Sequence, residues 1–133
     1  MIVVDANVLV YSLVEGAHTL HANQMREKDP DWRIPSLWRY EVGNALIQLA
    51  RQKLIDLETA HRLMDHAEEI FSPGEMRPES KQVLANALKK NLTFYDAQYL
   101  TLAQMLDIPL VTEDKALRKA AGKSALSIHD FLN

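Results

Sequence analysis

Short apolar runs alternate along the chain with longer segments in which apolar residues recur every three or four positions. The first run, Ile2–Val4, is β-branched and wholly apolar, which is typical of a strand buried on both faces. Residues 33–35, 108–112 and 125–127 predict further short strands, and no two strands are joined by a hairpin turn. The alternation therefore predicts an α/β fold with a short, mainly parallel sheet between layers of helices.

The segments between the strands predict helices with one apolar side. After residue 35, Trp38, Val42, Leu46 and Leu49 follow the 3.6-residue period of an amphipathic helix. We expect a helix over about residues 20–28 and others that begin near residues 8, 36, 56, 78, 93 and 115. The apolar pattern within residues 63–71 indicates ordinary core, with a dimer seam or a partner-docking surface as the alternative.

Length and composition narrow the class of protein. A chain of 133 residues is long enough for one compact domain, so we expect residues 1–133 to form a single domain. The absence of cysteine excludes disulfides, thiol nucleophiles and thiolate metal sites. No apolar stretch approaches the length of a membrane span, and the first residues lack the basic and apolar regions of a signal peptide. We therefore expect a cytoplasmic protein.

Four carboxylates stand at positions where a carboxylate is costly. Asp5 and Asp114 each follow a predicted strand, and the carboxyl ends of parallel strands converge at one edge of a sheet. Glu41 and Asp96 lie on the inward sides of their helices, where no lysine or arginine stands at helical spacing. A divalent cation shared by these acids would balance their charge, and oxygen-only ligands favour Mg²⁺ or Mn²⁺ over zinc.

Three of these acids also fit simpler roles. Asp5 and Asp114 could cap the helices that follow them, and Asp96 could return a hydrogen bond to the start of its helix in a capping box with Thr93. Glu41, taken as a mid-helix residue, has a solvated rim position as its alternative. Capping and cation binding are compatible, because a helix N-terminus favours negative charge.

Motifs in several places resemble PIN-domain ribonucleases, and among them the VapC-like toxins of type II toxin–antitoxin systems. The motifs are Ile-Val-Val-Asp-Ala-Asn-Val at residues 2–8, the helix that carries Glu41, Leu-Thr-Phe-Tyr-Asp-Ala at 92–97, and Pro-Leu-Val-Thr-Glu-Asp-Lys-Ala-Leu at 109–117. The resemblance runs nearly end to end, and its last two motifs together are specific. It implies a PIN-like three-layer fold and an Mg²⁺- or Mn²⁺-dependent endoribonuclease that hydrolyses RNA phosphodiester bonds.

The resemblance also implies which residues form the site. Four acids would be both catalytic and metal-binding: Asp5, Glu41, Asp96 and Asp114. Asn7 and the hydroxyl of Thr112 match supporting positions that orient waters or carboxylates. Members of the family are usually homodimers, and a cognate antitoxin inhibits them by placing its tail in the acidic groove. We therefore expect a homodimer with an antitoxin partner.

A basic helix face directly follows the last of these acids. Lys115, Arg118 and Lys119 fall at positions i, i+3 and i+4, and Arg39 stands two residues before Glu41. We expect these side chains to bind RNA, with a plain solvated helix face as the alternative. The net charge of −3 does not indicate a nucleic-acid binder, although acids concentrated in a site can hide a basic surface in the total.

Other functions fit the sequence less well. A haloacid-dehalogenase-like phosphatase needs a second acid two residues after the first, where this chain has Asn7. A response-regulator receiver needs adjacent acids before the first helix, where this chain has Val4 beside Asp5. Two alternatives stay open: a non-catalytic PIN-like module that binds RNA or protein, and a solitary PIN ribonuclease without an antitoxin.

Overall fold

The computed structural model describes all residues from Met1 to Asn133. The strands are β1 (Ile2–Val4), β2 (Trp32–Pro35), β3 (Glu75–Met76), β4 (Leu110–Val111) and β5 (Ala125–Leu126). The helices are α1 (Ala6–Leu13), α2 (Thr19–Lys28), α3 (Trp38–Arg51), α4 (Leu57–Phe71), α5 (Ser80–Lys90), α6 (Phe94–Leu106), α7 (Lys115–Ala121) and α8 (Ile128–Leu132). No helix combines the length and the apolar character that crossing a membrane requires.

The five strands form one sheet in the order β3-β2-β1-β4-β5, and every neighbouring pair is parallel. Val3 in the central strand lies opposite Arg33 on one side and Leu110 on the other. The chain builds the sheet outward from β1 through β2 to β3 and then returns to add β4 and β5 on the other side. The order therefore reverses between β1 and β4, where the carboxyl ends of parallel strands leave a crevice.

Helices cover both faces of this sheet because β1 is apolar at every position. Ile2 and Val4 point into a core cluster that includes Trp38 and Phe71, while Val3 points into a second cluster on the opposite face. The second cluster contains residues from α6 and α7, among them Tyr99, Leu102 and Leu117. The three-layer α/β fold predicted from the sequence is confirmed.

The apolar side of α4 belongs to the first of these clusters. Ala67 and Phe71 are buried in it, and Leu63, Met64 and Ile70 pack against it. The core therefore accounts for this pattern, and the alternative of a docking surface is not needed.

Some short elements differ from the sequence prediction. The sequence did not predict the two-residue strand β3 or the five-residue helix α8, because both are too short to carry a periodic pattern. Gly74 makes β3 possible, because a Cβ at this position would lie 2.0 Å from the carbonyl oxygen of Trp32. Helix α3 begins at Trp38 with no side-chain cap, two residues after the predicted start near residue 36. In α5, Leu84 and Leu88 are exposed.

Candidate active site

Asp5 lies at the carboxyl end of the central strand and begins α1. One oxygen of its carboxylate, Oδ1, accepts hydrogen bonds from the backbone N–H groups of Asn7 and Val8 at 3.0 and 3.3 Å. Oδ2 accepts a hydrogen bond from the Thr112 hydroxyl, which follows the neighbouring strand β4. With only 5% of its surface exposed, Asp5 is therefore both a helix cap and a buried carboxylate fixed from two strands.

Thr112 connects Asp5 to the next acid along the sheet edge. Its hydroxyl oxygen accepts a hydrogen bond from the backbone N–H of Asp114 at 3.0 Å while the hydroxyl donates to Asp5. The Asp114 carboxylate caps α7 by accepting a hydrogen bond from the N–H of Leu117 at 2.9 Å. The reversal of strand order thus brings two acids that are far apart in sequence onto the same edge.

Glu41 and Asp96 approach this edge from helices on opposite faces of the sheet. Glu41 lies in the first turn of α3, not in mid-helix as the sequence pattern suggested, and the hydroxyl of Tyr99 donates to its Oε1 at 2.6 Å. Asp96 lies in the first turn of α6, where the Thr93 side chain accepts a hydrogen bond from its backbone N–H at 3.0 Å. The Tyr99–Glu41 hydrogen bond therefore joins the two helical layers beside the acids.

Tyr99 was not singled out from the sequence as a site residue. The available signal was its position three residues after Asp96, because residues three apart share one face of a helix. Its ring is buried in the core, and burial together with the charge of Glu41 raises the pKa of its hydroxyl. Tyr99 therefore stays protonated and can always donate to Glu41.

All four predicted acids line one cavity of about 60 Å³, which we call the acid cavity. Its lining is Asp5, Ala6, Asn7, Glu41, Asp96, Tyr99, Asp114 and Leu117. No lysine, arginine or histidine is among these residues. The chain therefore gathers four carboxylates around a small space without supplying a positive charge.

The ionised carboxylates are unfavourable in this setting. Burial raises the pKa of Asp5 from its ordinary 3.8 to about 6, even though the Thr112 hydroxyl and two backbone N–H groups act in the opposite direction. Burial also raises the pKa of Glu41, and the charges of Asp5 and Asp96 raise it further. The pKa of Asp96 is raised by burial and then by Asp114. A bound cation would reverse these effects.

The donor set fits a small, hard divalent cation. No group of three His, Asp or Glu side chains has the arrangement of a ready-formed metal cluster. However, carboxylate oxygens are the ligands that Mg²⁺ and Mn²⁺ prefer, and the cavity volume equals that of roughly two water molecules in the liquid. The residues present therefore suit one of these ions with part of its water shell.

The predicted supporting residues lie at the acid cavity, whereas the predicted RNA-binding residues of α7 lie outside it. Asn7 lines the acid cavity, whereas Thr112 acts through Asp5 and Asp114. The basic residues of α7 lie outside the cavity lining; Lys115 and Lys119 are exposed, and Arg118 is half-buried with an Nε that has no hydrogen-bond partner.

The structure corrects the expectation for Arg39. Its guanidinium donates to Glu68 Oε2 at 2.8 Å and to Glu75 Oε1 at 3.1 Å. Residues two apart on an α-helix point in directions roughly 200° apart, so Arg39 faces away from the cavity that Glu41 lines. We call Arg39, Glu68 and Glu75 the arginine cluster. Since its charge is already paired there, Arg39 does not extend a basic face beside the acids.

The chain is similar to known proteins over nearly its whole length. The PIN domain family matches residues 2–123. The protein named Exonuclease VapC9 of Pyrobaculum aerophilum is 36% identical over 131 residues, which cover 97% of this chain and 91% of that protein. Ribonuclease VapC1 of Mycobacterium tuberculosis is 33% identical over 123 residues, or 90% of each protein.

Solved structures give the same result. The crystal structure of PAE2754 from Pyrobaculum aerophilum matches with a TM-score of 0.77 and 30% identity, over 98% of this chain and 92% of that one. FitAcB from Neisseria gonorrhoeae matches with a TM-score of 0.70 over 97% of this chain and 99% of that one, and its 14% identity shows likeness of fold alone. The resemblance drawn from the motifs is confirmed, and the chain belongs to the PIN domain family, in its VapC-like group.

Proposed function

We propose that this protein is a metal-dependent endoribonuclease and the toxin of a toxin–antitoxin pair. The observation that carries the proposal is the acid cavity, in which four carboxylates meet without a basic partner although their burial is costly. The curated relatives named as VapC nucleases support RNA phosphodiester hydrolysis as the reaction. The non-catalytic alternative has no specific observation in its favour, since none of the four acids is missing.

In this proposal Asp5, Asp96 and Asp114 hold Mg²⁺ or Mn²⁺. Glu41 either holds a second ion or orients the attacking water. When bound, the cation supplies Lewis-acid activation of water and stabilises charge on the phosphate. The Thr112 hydroxyl keeps the Asp5 carboxylate in place, and the Tyr99 hydroxyl occupies one oxygen of Glu41.

The other oxygen of Glu41 remains free to receive a hydrogen bond from water. Exposed Asn7, at the mouth of the acid cavity, has an amide that can orient a water or a phosphate oxygen. The exposed lysines of α7 follow Asp114 directly, and we assign to this helix, with Arg118, the contacts to the RNA backbone. We assign no such contact to Arg39.

The test uses closed circular RNA, because a circle has no end and only an endonuclease can open it. We expect purified protein to linearise the circle with Mg²⁺ or Mn²⁺ and to stop when EDTA is added. Asp5→Asn keeps the helix-capping oxygen and removes the charge, and we expect it to lower the rate on the order of 10²–10³-fold.

Three outcomes would count against parts of the proposal. Cleavage of linear RNA alone would make the protein an exonuclease, which is how the Pyrobaculum relative is named. Equal cleavage by the Asp5→Asn variant would identify a contaminating nuclease. Failure to cleave either RNA at any Mn²⁺ concentration would remove the enzymatic proposal and leave a binding module.

The proposed partners, a second copy of the chain and an antitoxin, rest on the likeness to the same family. We propose that the protein is a homodimer in the cytoplasm, where its RNA target is, and that an antitoxin encoded by a neighbouring gene inhibits it. The VapC names of the relatives support an antitoxin, and exposed apolar side chains on α3 and α5, including Ile47 and Leu88, offer surface for contacts between chains. Co-expression with the neighbouring gene product should relieve growth arrest if it is the antitoxin.

A further inference from the structure

Two of the three exposed aromatic side chains lie in a surface cavity next to the acid cavity. The chain has nine phenylalanine, tyrosine and tryptophan residues, and three of them are exposed: Tyr40, Phe94 and Tyr95. Tyr40 and Tyr95 are 75% and 65% exposed. They lie in the first turns of α3 and α6, directly beside Glu41 and Asp96. Aromatic surface left in water at one place, next to a reactive site, indicates a binding function.

Both tyrosines line a second cavity, of about 730 Å³, which we call the tyrosine cavity. Its lining is Leu37, Tyr40, Glu41, Asn44, Thr93, Tyr95 and Asp96. Glu41 and Asp96 therefore belong to both cavities. The acid cavity is too small for a nucleotide, whereas the tyrosine cavity has the volume of a typical small-molecule site. A group bound between the tyrosines would lie next to the carboxylates.

The chemistry of the lining favours a flat group that carries no negative charge, since the charged residues in it are Glu41 and Asp96. The tyrosine cavity contains no lysine, arginine or histidine, so it has no cation to attract a phosphate. Its two phenol rings and Leu37 offer apolar contact, while the exposed Asn44 amide offers both a hydrogen-bond donor and an acceptor. A nucleobase matches this combination, because its faces stack on aromatic rings and its edge forms hydrogen bonds.

We propose that Tyr40 and Tyr95 stack on an unpaired base adjacent to the phosphodiester bond that is cut, and that Asn44 contacts the edge of this base. The inference rests on the proposed function and specifies its substrate as a single-stranded segment of RNA. A base within a duplex is stacked on its neighbours and cannot enter the cavity without unpairing.

A second copy of the chain is the competing occupant of this surface. It would also cover the exposed rings, but it would close the tyrosine cavity over Glu41 and Asp96. The continuity of the two cavities favours the substrate, since the larger one then leads to the reacting phosphate.

The experiment measures RNA cleavage by Tyr40→Ala and Tyr95→Ala, with Tyr40→Phe and Tyr95→Phe as variants that keep the ring. Leu57→Ala is the matched control, because Leu57 is 67% exposed but lies at the start of α4 and does not line the tyrosine cavity. We expect each alanine variant to raise KM about tenfold with little change in kcat, since stacking holds the substrate and the transition state alike. The phenylalanine variants and Leu57→Ala should stay near the wild-type KM.

Abasic RNA supplies the decisive comparison. Removing the base on one side of the cleaved bond should raise the KM of the wild-type protein by the same factor as the tyrosine substitution. The alanine variants should lose little more on this substrate, because ring and base contribute one shared contact. A double-stranded RNA of the same sequence should be cut far more slowly by the wild-type protein.

Three other results would contradict the stacking proposal, and each of them shows which part is wrong. If the alanine variants match the wild type on intact RNA, or if base removal and tyrosine removal add independently, the stacking proposal is wrong while the nuclease proposal stands. If Tyr40→Ala instead halves the mass measured by sedimentation, the surface is an interface between copies. If the wild-type protein cuts no RNA with Mn²⁺, the proposed function fails and this inference fails with it.

Discussion

Helix α3 separates two groups of carboxylates whose charges are handled differently. On one side, Arg39 pairs with Glu68 and Glu75, and its hydrogen bond holds the pKa of Glu68 below the usual range. On the other side, Glu41 joins the acid cavity, where no basic side chain is present and burial raises its pKa. The arginine cluster satisfies its charges within the chain. The acid cavity keeps charges that only something from outside the chain can satisfy.

The difference teaches where to look for function in a small protein. Acids that only stabilise a fold are found with their counter-ions, whereas acids kept together without one oppose folding and indicate a role in binding. Other groups of the chain hold these acids in place through hydrogen bonds. Thr112 and Tyr99 donate hydrogen bonds to Asp5 and Glu41, and backbone N–H groups at the N-termini of α1 and α7 donate to the carboxylates of Asp5 and Asp114. The hydrogen bonds that cap these helices therefore also hold the acids of the site in place.

The largest expected effect comes from removing one carboxylate on each side of α3. Asp96→Asn takes a carboxylate out of the acid cavity, and we expect RNA cleavage to fall on the order of 10²–10³-fold without a lower melting temperature. Glu68→Gln weakens the arginine cluster, and we expect unchanged cleavage with a loss of stability of at most about 1 kcal/mol, because both partners are partly exposed. Initial rates with Mn²⁺ and thermal melts by circular dichroism measure both quantities.

For the comparison to hold, Asp96→Asn must lower cleavage without lowering stability, and Glu68→Gln must leave cleavage unchanged. If Glu68→Gln lowers cleavage as strongly as Asp96→Asn at a temperature where both are folded, the clusters do not differ in function. If Asp96→Asn instead unfolds the protein, Asp96 is a structural residue of α6 and its assignment to the site is wrong.

Local patterns were sufficient to predict the layers and the four acids. β1 is apolar at every position, and Asp5 follows it directly, so the sequence marks both the central strand and the carboxylate at its end. Thr112 and Asp114 stand in the same relation to β4. These signals are local, because a buried strand and the polar residue that ends it lie within a few positions of each other.

The contacts that depend on the rotation of a helix could not be predicted in this way. Tyr99 and Glu41 are 58 positions apart, and Arg39 and Glu68 are 29 apart. Which face of α3 meets α4 and which meets α6 is decided by packing around Trp38 and its neighbours, not by residues near Arg39. For this reason the sequence placed Arg39 with the RNA-binding residues, whereas the structure pairs it with two glutamates.

The second prediction concerns the rise in stability when a bound cation supplies the positive charge that the acid cavity lacks. A divalent cation that binds only the folded protein raises its stability by about 4 kcal/mol when its concentration is a thousand times the dissociation constant. We therefore expect millimolar Mn²⁺ to raise the melting temperature on the order of 10 °C in the wild type and in Glu68→Gln. Asp96→Asn should show a clearly smaller increase. Equal increases in all three proteins would mean that Mn²⁺ does not bind in the acid cavity.

The last prediction concerns pH in the absence of metal. Because the pKa of Asp5 is about 6 in the folded protein and 3.8 ordinarily, the unfolded chain loses this proton first as the pH rises. The free energy of unfolding should therefore fall between about pH 4 and pH 6, by about 3 kcal/mol at most, and level off above pH 6. Urea titrations in EDTA measure this, with Asp5→Asn as the control in which the fall is reduced. If the wild-type protein instead becomes more stable over this range, carboxylates with lowered pKa, such as Glu68, govern the pH dependence. The unfavourable free energy of the ionised carboxylates in the acid cavity is then small.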